Sequence, residues 1–295
     1  MSAKALLVLS CTILICGPAR SENKEILWML SDWPPVYILN NHQTPTQPAE
    51  LGSGVGDRVI KEIMGRLPGY SSRFIQANIL RTWAEFAANK NICYATAYKN
   101  PEREKIAYFT PVLMALAPVV VVRHERRGPL GLLAPDVTIR ALSSRTDLKG
   151  YIDRGRSFGA TIDEIVNRNG SNLLRQVESN EGHLLQLLDS DRMDYTLEIP
   201  IVVEYESRHL LFQHRLDVLT IEDSPKFLIG YVACSKNEWG KTVINDIALA
   251  VRKAAATPSF QSIYTDMLPP DLINANRGQY KHFYNNLEKN KLELP

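Results

Sequence analysis

The sequence predicts an α/β fold, because short apolar runs of strand length alternate with segments whose apolar residues recur at helical spacing. Gly, Pro and Asn stand at the joints between these segments, where turns and caps need them. A valine-rich run from Ala115 to Arg123 is too short to cross a membrane and reads as one buried strand of a covered sheet.

In chain order, a first strand is expected over Glu25–Leu30, closed by the turn Ser31-Asp32-Trp33-Pro34-Pro35. Asp57 reads as a helix cap, followed by Val59, Ile60, Ile63, Met64 and Leu67 on one face and stopped by Pro68-Gly69. A strand over Ser72–Gln76, a helix over Trp83–Asn89 and a strand over Ile92–Tyr98 come next. Asn100 then Pro101 supplies a cap and a first turn, since Asn accepts orphan amide hydrogen bonds and Pro loses nothing there by lacking one. The chain leaves its first domain in the Ala115–Arg123 run. Beyond it, helical patterns over Ala160–Asn167 and Glu181–Leu188 lead to a strand over Tyr195–Ile199 and a helix through Val203 and Tyr205. A strand over Phe227–Cys234 and a long helix marked by Val243, Ile247, Leu249 and Val251 follow, and the tail after Pro270 reads as polar, helical and peripheral.

With 45% hydrophobic and 22% charged residues the composition is ordinary for a globular protein, and 295 residues fit about two domains. A net charge of +2 without a basic run argues against nucleic acid or an anionic membrane surface as partners. Lys4, the apolar run Ala5–Cys16 and then Gly17, Pro18 and Ala19 read as a signal peptide cleaved near residues 19–21. That run is shorter than the ~20 residues that span a bilayer. Leu9 and Ile15 stand where a lipoprotein signal would carry small residues, so a soluble exported chain is expected.

Of the cysteines, Cys93 and Cys234 remain in a compartment that permits disulfides; a bridge and two separate buried thiols both stay open. No metal or cofactor is expected: there is no short Cys-x-x-Cys spacing, and His209 and His214, five apart, have no ligand pattern. Nucleophile elbows, phosphate loops and zinc-protease pairs are missing from the sequence, and glycine-rich Gly52–Asp57 lacks the third glycine of a dinucleotide fingerprint, reading as a helix lead-in. Asn169-Gly170-Ser171 fits a glycosylation pattern, a short match that carries little weight.

Seven features occur in an order that resembles a known family. They are Trp33-Pro34-Pro35, Gly54-Val55-Gly56-Asp57, Asn100-Pro101-Glu102-Arg103, Phe109-Thr110-Pro111, Asp147-Leu148-Lys149-Gly150, Asp191-Arg192-Met193-Asp194 and Ser259-Phe260-Gln261-Ser262-Ile263-Tyr264. The sequence resembles the bacterial extracytoplasmic solute-binding proteins of the polar amino-acid type, family 3, over almost the whole mature chain. The resemblance implies the type II periplasmic-binding fold: two lobes, each a mixed sheet flanked by helices, joined by two hinge strands. It divides the chain into a signal peptide (1–21), a first part of lobe 1 (22–120), lobe 2 (121–226), a return part of lobe 1 (227–270) and a C-terminal helical tail (271–295), with hinges near 118–124 and 222–230. It also implies that Cys93 and Cys234 lie on neighbouring strands of lobe 1, where a disulfide would staple the discontinuous lobe.

The same resemblance assigns a ligand site. Arg103 matches the arginine that holds a ligand carboxylate, a role suited to a planar guanidinium that makes two parallel charge-assisted hydrogen bonds. Trp33 corresponds to the stacking aromatic, with Tyr37 nearby; Thr96 and Tyr98 share one strand face toward the cleft. Arg156, Ser157, Phe158 and Gly159 occupy the loop that meets the carboxylate from lobe 2. The family's ammonium-binding aspartate, five residues after the position of Asp194, is replaced by Ile199, with Glu198 one position early. Because neighbouring strand residues face opposite ways, Glu198 substitutes only on a shifted or bulged strand. The set Glu198, Glu204 and Glu206 reads either as a cation site or as a solvated helix start.

The function implied is periplasmic capture of a small polar, carboxylate-bearing solute by hinge closure, in a monomer that serves an ABC permease of the inner membrane. Two alternatives accompany it. A sensor or partner-binding module would show an occluded cleft, and a lyase-type enzyme on this scaffold would use Glu198 as a general base.

Overall fold

A computed structural model describes residues 24–168, 170–176 and 183–292. The signal peptide expected over 1–21, the helix start expected at Glu181 and Asn169 of the glycosylation pattern lie outside these residues.

The first segment contains β1 (Lys24–Leu30), α1 (Val55–Met64), β2 (Tyr70–Gln76), α2 (Ile79–Ala87), β3 (Cys93–Ala97), α3 (Pro101–Glu104) and β4 (Ala107–Leu116). The middle segment contains β5 (Val119–Arg123), α4 (Arg127–Leu130), β6 (Asp136–Val137), α5 (Ile139–Ser143), β7 (Gly150–Asp153) and α6 (Ala160–Val166). It continues with β8 (Leu173–Gln176), α7 (His183–Asp189), β9 (Tyr195–Glu198), α8 (Pro200–His209) and β10 (Leu216–Ile221). The last segment returns with β11 (Phe227–Ser235), α9 (Glu238–Ala255), α10 (Pro258–Gln261) and α11 (Pro270–Glu288).

Two mixed sheets result, in the orders β2-β1-β3-β11-β4 and β6-β10-β5-β9-β7-β8, one for each lobe. The run Ala115–Arg123 is divided between them rather than forming one strand: β4 ends at Leu116 in the first sheet and β5 begins at Val119 in the second. Pro118 between them has no amide to give a ladder, so pairing stops there. The outward crossing therefore falls at residues 117–118, inside the Ala115–Arg123 run, and the returning chain, at 222–226 between β10 and β11, runs beside it, with the Ala117 amide donating to the Lys226 carbonyl over 3.0 Å.

Strand alternation distributes the middle of the chain over two faces. Val120 and Val122 of β5 join a cluster with Ile139, Ile162 and Leu197, while Val119 and Val121 join Leu184, Leu188 and Met193 on the other side. The first lobe gathers one large core from β1, β3, β4, α1, α9 and the last helix. Expected as peripheral, α11 instead buries Tyr280, Phe283, Tyr284 and Leu287 against that core; its polar residues take the outer face and mask an aromatic stripe.

Local starts depart from expectation where a cap sits earlier. The Asn78 side chain accepts the Arg81 amide and starts α2 at Ile79, ahead of Trp83. The cap of α1 is Gly54, and Asp57 is the third helical residue, whose carboxylate reaches back to the Gly54 and Ile38 amides over 3.0 and 2.8 Å. Burial pushes that carboxyl up to about 6, against the pull of those two amides. Cys93 and Cys234 face each other across β3 and β11 with Cα atoms 4.2 Å apart, and the two are bonded.

Candidate functional site

The lobes meet over a small cavity of about 60 Å³. Lobe 1 contributes Trp33, Thr96, Tyr98 and Arg103 to its wall, and lobe 2 contributes Arg156 and Ser157. Ile199, which stands where the amino-acid binders of the resembling family carry aspartate, lines it too. The charged side chains of this lining are the two arginines.

Trp33 is placed by the turn after β1 and by the start of α1. The Tyr37 amide donates to the Trp33 carbonyl over 2.8 Å, while Val55 and Gly56 donate to the carbonyls of Pro35 and Val36 over 2.9 and 2.7 Å. Tyr37 is fully buried, its hydroxyl accepting from the Ala95 amide and from Thr96 at 3.3 Å each, so it braces the turn from behind. Tyr98 borders the cavity, and burial holds its phenol well above the ordinary range.

Arg103 is buried, its guanidinium carbon over the Trp83 ring of α2 at 4.1 Å from the ring centre. One nitrogen donates to the Tyr98 carbonyl of its own lobe over 2.8 Å and another to the Gly155 carbonyl of lobe 2 over 3.0 Å. Gly155 is suited to this crossing point, since its φ is +85° and a Cβ there would stand 2.7 Å from a methyl carbon of Leu80 in the opposite lobe.

Arg156 leaves β7 and donates to both oxygens of Glu198 at 2.8 and 2.6 Å, with Asp153 accepting at 3.3 Å. Its guanidinium also lies 4.3 Å above the Trp33 ring and 4.9 Å from the Phe158 ring. Burial disfavours its charge, but the Glu198 carboxylate more than offsets this and holds its pKa above the ordinary value. Glu198, 2% exposed, accepts in addition from the Ile199 amide over 2.7 Å. The third acid, Glu206, is 5% exposed, and burial together with the nearby Glu198 charge pushes it up to about 9, so it is protonated at neutral pH. Glu198 and Glu206 thus belong to a buried cluster rather than a solvated helix start, whereas Glu204 pairs on the surface with Arg208.

The loop expected to receive a carboxylate from lobe 2 is engaged by one from its own chain. Asp163 accepts from the Ser157 hydroxyl over 2.5 Å, from the Phe158 amide over 2.8 Å and from the Asn100 side chain of lobe 1 over 3.0 Å. Among the expected site residues, Trp33, Thr96, Tyr98, Arg103, Arg156 and Ser157 come together around the cavity. Tyr37, Phe158 and Glu198 stand outside its lining: Tyr37 and Phe158 are core residues, and Glu198 is turned into the lobe by Arg156. Asp163, Trp83 and Gly155 join the site without any motif of their own to announce them.

A larger groove of about 580 Å³ lies outside the cavity, at the mouth between the lobes, lined by Trp83, Lys105 and Arg154 among others. Arg103, Arg156 and Ser157 border both spaces. Among the described residues no group of three His, Cys, Asp or Glu side chains is arranged to hold a metal, and no helix is long and apolar enough to cross a membrane.

No family model matches the chain, and no curated protein matches its sequence. Solved structures do. A putative L-cystine ABC transporter protein from Listeria monocytogenes aligns with a TM-score of 0.65 and 17% identity over 84% of this chain and 97% of that one. The chain has the type II periplasmic-binding fold. An amino-acid ABC transporter substrate-binding protein from Streptococcus pneumoniae, solved with L-arginine, aligns at TM-score 0.60 and 16% identity over 84% and 95%. The periplasmic VFT2 domain of BvgS from Bordetella pertussis aligns equally well, at 0.60 and 15% over the same shares. Arg103 and Arg156 border the space between the two lobes of this fold.

Proposed function

We propose that this protein is an extracytoplasmic solute-binding protein that captures a small carboxylate-bearing solute between its lobes without transforming it. The observation that carries this reading is the interlobe cavity, whose charged lining residues are Arg103 and Arg156, flanked by the hydroxyls of Thr96 and Ser157. Cations and hydroxyl donors favour an anionic oxygen group, and Ile199 in the place of an acid removes the partner that an α-ammonium would need. The solute is therefore a carboxylate without a required α-amino group. At about 60 Å³ the cavity is well below the ~300 Å³ of ordinary ligand sites, so admission requires the lobes to part about the crossings at 117–118 and 222–226.

The partner this implies is a membrane permease of the ABC type. An enzymatic role fits the geometry poorly, because Glu198, the base it would use, is clamped by Arg156 outside the cavity lining. The sensor reading is favoured by one observation, the closure of the cleft by side chains of the protein itself. Solved neighbours include an ABC transporter substrate-binding protein and a periplasmic VFT2 domain of BvgS, each similar only in fold.

Thermal unfolding against a library of organic acids, amino acids, peptides and sugars tests the proposal. A solute at 100 times its dissociation constant adds ~2.7 kcal/mol and raises the midpoint visibly. The expected result is a shift with a carboxylate compound that is lost in Arg103→Ala. No shift with any compound overturns solute capture and moves the partner-binding reading ahead.

A further inference from the structure

The groups that a solute would engage are met, in this structure, by side chains of the chain itself. Trp33 has a guanidinium, that of Arg156, over its face at 4.3 Å. The Ser157 hydroxyl and Phe158 amide hold a carboxylate, that of Asp163. Both contacts extend across the cleft: Arg156 of lobe 2 reaches Trp33 of lobe 1, and Asp163 of lobe 2 accepts from Asn100 of lobe 1 at 3.0 Å. The bond from Arg103 to the Gly155 carbonyl adds a third link of the same direction.

We infer that Arg156 and Asp163 latch the lobes together at rest, through Trp33 and Asn100 of the facing lobe, so that a solute enters only when these links part and does not itself induce the closure. This rests on the reading that the interlobe space is where a solute binds. The chemistry fits a latch. A cation over an indole and a charge-assisted amide-to-carboxylate bond each have the strength of a single ligand contact. A few such links hold a two-state equilibrium closed while leaving it reversible. The fit is also steric: Gly155 and Gly159, with φ of +85° and +91°, lie where a Cβ would press on Leu80 and Leu228 of lobe 1, so the backbone of the latch loop is shaped for contact with the other lobe. Release would open the cavity of about 60 Å³ toward the outer groove of about 580 Å³, because Arg103, Arg156 and Ser157 border both. The apparent affinity for a solute is then lowered by the small fraction of molecules whose latch is open.

The test reads lobe separation without any solute. Spin labels on Lys105→Cys in lobe 1 and Glu164→Cys in lobe 2, both exposed, report the distance across the mouth by pulsed electron resonance. Two variants weaken the latch from the lobe 1 side, leaving the buried Arg156–Glu198 pair intact. Trp33→Leu removes the ring under Arg156. Asn100→Asp preserves the cap on the Arg103 amide, since Asp caps as well as Asn, but sets a carboxylate against that of Asp163. The expected result is a short distance in the otherwise native protein, lengthened by several ångström and broadened in both variants, with circular dichroism unchanged. A long distance in the native protein, or a short one that neither variant alters, overturns the latch. Because no solute enters the measurement, failure of the library screen leaves this result standing, and failure here leaves the screen standing.

Discussion

Arg156 and Glu198 show how one substitution relative to a familiar pattern can reorganise a site. With Ile199 where an acid is expected, the neighbouring Glu198 points into the lobe, where a charge is tolerated only when paired and hydrogen-bonded. Arg156 pairs with it through two bonds, and Asp153 is added at 3.3 Å. One further acid lies in this cluster: Glu206 Oε2 is buried without a hydrogen bond among the described residues, and the pull of the Arg156 charge does not offset its burial beside Glu198. Its folded pKa of about 9 lies above the ordinary 4.5, so folding takes up a proton and stability falls as pH rises from about 4.5 to about 9. Glu206→Gln keeps the shape and removes the cost. It should stabilise the protein at pH 7 by up to about 3 kcal/mol, with the gain vanishing near pH 4, as read by urea unfolding at a series of pH values. A gain that is equal at pH 4 and pH 8 would show that Glu206 is not protonated by burial.

At the scale of elements, the start of α1 fixes the position of Trp33. A Cβ on Gly56 would come within 2.3 Å of the Tyr37 ring, which is why the helix approaches the turn closely enough for the Gly56 amide to reach the Val36 carbonyl. In an exposed helix Gly→Ala stabilises by roughly 0.5–1 kcal/mol; here Gly56→Ala should destabilise by about 1–3 kcal/mol and shift the Trp33 environment in tryptophan emission. A stabilised variant would sink this account of the turn. The sequence showed many of the strands and helices, because a period of 2 or 3.6 is written locally in residues such as Val59, Ile60 and Ile63, but β6, β7, β8 and β10 of lobe 2 and the short helices α4 and α5 went unread. The division of Ala115–Arg123 was hidden, since both halves are equally apolar and only pairing partners separate them. Contacts of the site were less legible still: Arg156 and Glu198 are 42 residues apart and meet because β7 lies beside β9, a matter of topology rather than motif. Asp163 reads as an ordinary helix acid until α6 folds back on its own loop.

For the molecule as a whole, the discontinuity of lobe 1 has an energetic consequence. Its sheet joins strands from both sides of the whole second lobe, so closing it costs the entropy of a very long loop. The Cys93–Cys234 bridge spans 141 residues and ties β3 to β11 at the centre of that sheet. A link of this span restricts the unfolded chain by up to about 5 kcal/mol in the chain-entropy account, with about 2–5 kcal/mol usual in practice. Replacing both cysteines by alanine should therefore lower stability by that amount in denaturant unfolding. Its effect should be local in hydrogen exchange. Amides of β3, β11 and α9 should lose protection, while those of β5 and β9 keep theirs, because the second lobe has its own cores and is continuous between the crossings. Equal loss of protection in both lobes would mean that they unfold as one cooperative body, with the interlobe contacts at Arg103, Arg156 and Asp163 strong enough to join them.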